Sequence, residues 1–222
     1  LSKKSLKYKQ FTHLCTFHQD PGRGPDMKLI LASTSPYRQR LLARLQLPFS
    51  TVAPGTNETP LPQEAPAALA ERLALAKARD VGKGHPEAII IGSDQVATLD
   101  GRFLGKPGDH ATATDQLRAC AGRDVVFFTG LALHCAAAEL DLRHVEPFRV
   151  RFRPLSNEQI DFYLRAEQPY DCAGSFKCEG LGISLFEAMD GADPTSLEGL
   201  PLIALTTMLT TAGYPVLCAP RD

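Results

Sequence analysis

The chain has 222 residues, 44% hydrophobic and 22% charged, and its 24 Lys plus Arg against 25 Asp plus Glu give a formal net charge of −1. That is the composition of an ordinary globular protein, one domain or two closely packed lobes. The near-neutral balance excludes a nucleic-acid coat protein that binds by bulk charge, and no run reaches the roughly 18 apolar residues of a membrane span. Any phosphate recognition therefore falls to local clusters of charge.

The first 26 residues differ in character, with Lys3, Lys4, Lys7, Lys9 and Arg23 against Asp20 and Asp26, and a Pro21-Gly22-Arg23-Gly24-Pro25 stretch near their end. Without them, 19 basic residues face 23 acidic ones. No apolar stretch of signal-peptide length follows the lysines. The segment reads as a disordered or vestigial leader, with Met27 the functional start of a single domain over 27–222. A basic tail for RNA or membrane is the other reading of its charge.

From there the elements follow in order. Lys28 to Ala32 is a short apolar strand, and Pro36 to Leu47 carries Leu41, Leu42 and Leu45 at helical spacing until Pro48 breaks the pattern. Residues 53–66 form a loop rich in Pro, Gly, Thr and Glu. A second helix runs from Pro66 to about Asp80, with Ala70, Leu73 and Lys77 on one face. Ala88-Ile89-Ile90-Ile91-Gly92 is a buried strand that ends on Ser93-Asp94-Gln95. Val96 to Leu99 and Phe103-Leu104 flank Asp100-Gly101, a hairpin signal. Asp109 caps a helix reaching Ala121, and Val125 to His134 and Leu140 to Phe152 are long β segments. Ser156 with Gln159 makes a capping box for a helix to Glu167, and Gly199 to Thr211 closes the chain as an apolar helix.

Chemistry concentrates in a few places. In Ser33-Thr34-Ser35-Pro36, Ser35 suits an N-cap and Pro36 the first helical position. A helix start directly after a strand is an anion site, and Arg38 in its first turn adds a fork for phosphate oxygens. An ordinary capped helix with a solvated Arg reads equally well. Lys77 lies on the stripe that faces the core, where an ammonium needs an anionic partner, unless it snorkels out near the helix end. Gly101 to Pro107 looks like a P-loop, but the glycines are one residue too close and Pro107 stands where Ser or Thr would hold Mg²⁺. Lys106 could still reach a polyphosphate from that turn.

Asp94, read as the end of a buried strand, and Glu58, in the loop Asn57-Glu58-Thr59-Pro60, are the candidate acids. At the carboxyl edge of an open α/β sheet such a carboxylate holds a divalent ion or takes a proton from attacking water. Arg149, Arg151 and Arg153 alternate with Val150 and Phe152 and read as one solvated strand face without stacking aromatics. Six cysteines, at 15, 120, 135, 172, 178 and 218, form no C-x-x-C pair, and most of them read as buried reduced thiols of a cytosolic protein.

With these motifs in hand, the chain from Met27 to about Pro215 resembles the Maf family of nucleoside triphosphate pyrophosphatases. The resemblance rests on Leu31-Ala32-Ser33-Thr34-Ser35-Pro36 with Arg38, Asn57-Glu58-Thr59-Pro60, Ala76-Lys77-Ala78, Gly92 to Val96, Gly105-Lys106-Pro107, Thr129-Gly130, Ala173 to Gly180 and Gly199-Leu200-Pro201. Gln95, Glu146-Pro147-Phe148 and Ser175-Phe176-Lys177 leading to Glu179 are similar to the branch acting on 7-methyl-GTP. The resemblance implies an inosine-triphosphatase-like α/β fold, a twisted mixed sheet flanked by helices with a cleft between two lobes.

It further implies cleavage of the α–β phosphoanhydride with Mg²⁺ or Mn²⁺ at Asp94 and Glu58. Asp94 matches the family's proton acceptor, Tyr37, Gln95 and Glu179 its specificity positions, and Ser33, Arg38, Lys77, Lys106 and Lys177 its triphosphate contacts. Tyr37 stands where the branch often has Trp, and Gln39 where the family often repeats Arg. The implied setting is a cytoplasmic homodimer with no stable nucleic-acid partner and no membrane. Two alternatives remain: a pyrophosphatase for dTTP, UTP or a deaminated purine nucleotide, and a nucleotide- or nucleic-acid-binding regulator of septum formation.

Overall fold

The computed structural model describes residues 27–217; the expected leader, Cys15 and Cys218 lie outside them. Strands β1 (Leu29–Leu31), β2 (Ser50–Thr51), β3 (Ile89–Leu99), β4 (Arg102–Leu104), β5 (Asp124–Cys135), β6 (Leu140–Phe152) and β7 (Phe186–Asp190) form one mixed sheet in the order β2-β1-β3-β5-β6-β7. Around it lie α1 (Pro36–Ala43), α2 (Pro66–Gly82), α3 (His110–Cys120), α4 (Asn157–Glu167) and α5 (Leu202–Thr211). Short 3-10 turns at Ala173–Ser175, Leu181–Leu185 and Pro194–Glu198 complete the described residues. The expected α/β class, with a mixed sheet flanked by helices, holds.

Local chemistry accounts for the element ends. Ser35 caps α1 by accepting from Arg38 N–H, Asp109 caps α3 by accepting from Thr112 N–H, and Ser156 and Gln159 form the reciprocal capping box of α4. The β3–β4 hairpin turns on Asp100 (φ 48°) and Gly101 (φ 77°), both in the left-handed region that a two-residue I′ turn requires. The first helix stops at Ala43, short of the expected Leu47, because Gln46 turns to φ 54° ahead of Pro48.

Strand β3 overturns one expectation. Asp94 is not at a strand end but in the middle of an eleven-residue strand, because β5 pairs with β3 continuously from Ile90 to Leu99. The opposite edge of β3 is shared: β1 runs parallel to it at 89–91 and β4 antiparallel at 97–99. Residues 92–96 face the gap between those two partners. That gap makes the crevice which a strand end would otherwise make, and it divides the cores. One core gathers Leu31, Leu42, Ile91 and Leu205, and another gathers Leu99, Phe127, Phe152 and Leu164 on the far side of the gap.

Helix α2 lies unusually close to the sheet at this level. A Cβ on Gly92 would stand 2.0 Å from the Ala74 carbonyl oxygen, and one on Gly130, the cross-strand partner of Asp94, 2.1 Å from that of Ala70. Only glycine allows that approach. Among the described residues no helix is long and apolar enough to cross a membrane, and Cys120, Cys135, Cys172 and Cys178 are free thiols.

Candidate active site

Alternation along β3 sends its polar residues to opposite faces. Asp94 meets α2, where Lys77 Nζ donates to its Oδ1 over 2.6 Å, while both side chains are almost fully buried. The same ammonium lies 2.6 Å from Glu58 Oε1, at the outer end of the 53–65 loop. A buried lysine on the core stripe of α2 thus has the anionic partners its position demanded. Burial raises Glu58, but the hydrogen bond and charge of Lys77, with Lys106 and Arg38 beyond, outweigh it and hold the carboxyl below its ordinary range.

On the other face, Ser93 Oγ lies 2.9 Å from the Gly130 carbonyl oxygen and 2.8 Å from that of Gly199. Arg38 Nε donates to the same Gly199 carbonyl over 2.8 Å. One backbone oxygen therefore ties α1, β3 and the turn before α5 together and aims the remaining guanidinium N–H groups. Burial, the largest influence, lowers Arg38 from its ordinary value, against the charges of Asp94 and Glu58, and it stays a cation. Ser33 Oγ accepts from Ser35 N–H and shapes the turn into α1.

A cavity of about 690 Å³ opens at the gap in the sheet, and all ten candidate residues line it: Ser33, Tyr37, Arg38, Glu58, Lys77, Asp94, Gln95, Lys106, Lys177 and Glu179. Two groups of residues in its lining differ in chemistry. Around Asp94 stand Arg38, Lys77 and Glu58, with Lys106 exposed on the turn after β4 and close enough to act on Glu58. The second group is Tyr37, Cys172, Cys178, Glu179 and Glu198, which line the same cavity and act on one another. Burial, then neighbouring Cys172, Asp171 and Glu179, pushes the Tyr37 phenol up to about 12, so its ring is neutral at physiological pH.

Two candidates are committed to the protein itself. Gln95 Nε2 contacts Thr129 Oγ1 and the carbonyls of Ser196 and Leu197 at 2.8–3.1 Å. That amide nitrogen secures the 194–198 turn, and only the oxygen is left to meet a ligand. Lys177 Nζ donates to the Glu167 carbonyl at the end of α4, over 2.9 Å. Its ammonium is thereby drawn toward that helix end, although its side chain still borders the cavity.

The sequence does not single out Glu198 or Arg40, whereas Ser175 belongs to the Ser175-Phe176-Lys177 motif. Glu198 lines the cavity, raised by burial and then by Glu179. Ser175, at φ 63°, sits in the strained turn before Phe176, held by Ser175 Oγ donating to Gln116 Oε1 over 2.6 Å. Arg40 lies with its Cζ 5.0 Å from the Tyr37 ring centre. Its spacing of three residues from Tyr37 on one helix was the signal that could have found it.

Among the described residues no group of three or more His, Cys, Asp and Glu gathers as a metal cage. Asp94 Oδ1 and Glu58 Oε1 nevertheless converge from two elements on the Lys77 ammonium, 2.6 Å from each, and hard carboxylate oxygens beside it are the ligands Mg²⁺ or Mn²⁺ takes when phosphates and water complete its shell. The donor set fits such an ion.

A mixed α/β sheet interrupted beside a buried acid, with cations, an aromatic ring and further acids lining one crevice, defines a protein built to take a phosphorylated aromatic ligand. The model of the Maf-like proteins matches residues 28–212, and the chain belongs to the Maf family. It is 57% identical over 189 residues to the 7-methyl-GTP pyrophosphatase of Nitrosococcus oceani, covering 85% of this chain and 95% of that protein. It is 56% identical over 185 residues to the one from Polaromonas sp., covering 83% and 84%. Among solved structures, a HAM1 protein from Coxiella burnetii is similar at 16% identity and a TM-score of 0.47, covering 83% of this chain and 99% of that one.

Proposed function

We propose that this chain is a nucleoside triphosphate pyrophosphatase that converts 7-methyl-GTP and related modified nucleotides to the monophosphate and pyrophosphate, removing them from the nucleotide pool. The observation that carries the reading is the shared cavity, lined by a buried Lys77–Asp94 pair and Arg38 together with Tyr37 and Glu179. The relatives bearing that activity in their names, at 56–57% identity over most of their length, support the substrate.

The chemistry follows from the groups present. Arg38, Lys77 and Lys106 supply positive charge for the triphosphate, the first oriented by the Gly199 carbonyl. Lys77 occupies Asp94 Oδ1, which leaves Oδ2 to take a proton from water. The oxygen of that water bonds to the α-phosphorus, the bond from that phosphorus to the α–β bridging oxygen breaks, and the bridging oxygen leaves on pyrophosphate. Glu58, with the Asp94 oxygen that Lys77 already meets, would hold Mg²⁺ or Mn²⁺, which when bound neutralises phosphate charge and leaves Oδ2 for the proton. Lys77 positions the acid whether or not the ion is there.

The ring of 7-methylguanine carries positive charge, which an aromatic face and a carboxylate favour over neutral guanine. Tyr37 stacks, Glu179 accepts from N1 and the exocyclic amine, and Gln95 Oε1 meets another edge. A wrong base would leave those groups unpaired. We place the enzyme in the cytoplasm as a homodimer that needs no nucleic-acid or membrane partner.

Parallel turnover assays on 7-methyl-GTP, GTP, dTTP, UTP and ITP test the substrate. The reading requires the highest kcat/KM on 7-methyl-GTP, and its loss in Asp94→Asn with nucleotide binding retained. Preference for a pyrimidine or deaminated purine nucleotide, or wild-type turnover in Asp94→Asn, contradicts it. Salt-sensitive oligonucleotide binding without pyrophosphate release would point to a regulator instead.

A further inference from the structure

Arg40 stands one turn beyond Tyr37 on α1, and its guanidinium is within cation–π distance of the Tyr37 ring, Cζ to centroid 5.0 Å. Its Nη2 is also 3.8 Å from Glu179 Oε1. An aromatic face and a carboxylate are the two groups through which the proposed site recognises a positively charged base. Arg40 is not among the residues lining the cavity, so its influence on a bound base passes through those two.

We propose that Arg40 is a positioning residue for specificity that competes, charge against charge, with the cationic base for Tyr37 and Glu179 and so limits the preference for a methylated purine over its neutral parent. The inference rests on the 7-methylguanine reading above. A cation already seated on a ring draws on the same π density that a cationic base would use, and its charge offsets the carboxylate facing that base. Glu198 adds weight: it shares the cavity with Glu179, and Arg40 and Arg44 are the cations that act on it. A neutral guanine makes the same stacking and hydrogen bonds but lacks the charge that Tyr37 and Glu179 attract, so it loses less to Arg40. The side chain of Arg40 is mostly solvent-exposed, so its replacement leaves the fold intact.

The test compares kcat/KM for 7-methyl-GTP and GTP in wild type, Arg40→Gln and Arg40→Lys. Arg40→Gln should raise the methylated-to-plain ratio roughly two- to five-fold, the range of an exposed cation–π contact. The gain should appear as a lower KM for 7-methyl-GTP at unchanged kcat, and Arg40→Lys, which keeps the charge, should stay at the wild-type ratio. An unchanged or lower ratio in Arg40→Gln, or Arg40→Lys moving with it, overturns the inference while a wild-type preference for 7-methyl-GTP leaves the functional reading standing. A wild type without that preference overturns both.

Discussion

Replacing Lys77 with Met removes the ammonium that joins α2 to the sheet. Lys77 and Asp94 keep only 8% and 11% of their side-chain surface exposed and meet at 2.6 Å, so the variant leaves a buried carboxylate without its partner. Breaking one side of a buried pair costs about 3–5 kcal/mol. Arg38, whose charge already acts on Asp94, offsets part of this, and Glu58, more than half exposed, turns to solvent at little cost. The lower figure, about 3 kcal/mol, is therefore expected, equivalent to a fall in Tm of roughly 6–12 °C for a domain of this size. Urea unfolding of wild type, Lys77→Met, Asp94→Asn and the double variant measures it. The double variant should recover most of the loss, since neither charge is then stranded. A single-variant loss below about 1 kcal/mol, or a coupling near zero, would refute the buried pair.

Gly130→Ala should destabilise by about 1–3 kcal/mol and lower kcat, because the new methyl meets the Ala70 backbone and pushes α2, with Lys77, away from Asp94; urea unfolding and steady-state turnover check it. Acid should weaken the fold around the same cluster. Glu58 has its carboxyl held below the unfolded value, so its contribution is complete above about pH 4.5 and is lost as pH falls through the lower folded value. Thermal unfolding between pH 7 and pH 3 should therefore drop less steeply in Glu58→Gln than in wild type.

Much of this arrangement is legible in the residues. Capping side chains, the Asp100-Gly101 turn and the alternation of β5 and β6 all act locally, and the structure has them where local chemistry puts them. Lys77 was legible because a charge on an apolar helical stripe requires a partner. The middle of β3 was not. Ser93-Asp94-Gln95 interrupts an apolar run, and the sequence alone does not show that Gly130, Gly199 and the 194–198 turn supply carbonyls which satisfy Ser93 and Gln95. The strand therefore continues through polar residues where an isolated pattern reads as an end.

Strand β7 was missed for a related reason. Four of its five residues are exposed, so it lacks the buried alternation that marks β5, and it is held by pairing to β6. Gln95 and Lys177 line the cavity, but the bonds they already make are not legible in the sequence, because these depend on backbone carbonyls distant in the chain. Arg40 meets Tyr37 at a local spacing of three residues, but its second partner, Glu179, reaches it only once the 171–180 segment folds over α1.

Hydrolysis of 7-methyl-GTP in ¹⁸O-enriched water tests the central claim most directly, because it reports which phosphorus the solvent attacks. Delivery of water by Asp94 to the α-phosphorus predicts one ¹⁸O in 7-methyl-GMP and none in the pyrophosphate. Label in pyrophosphate, or release of 7-methyl-GDP and orthophosphate, would contradict it.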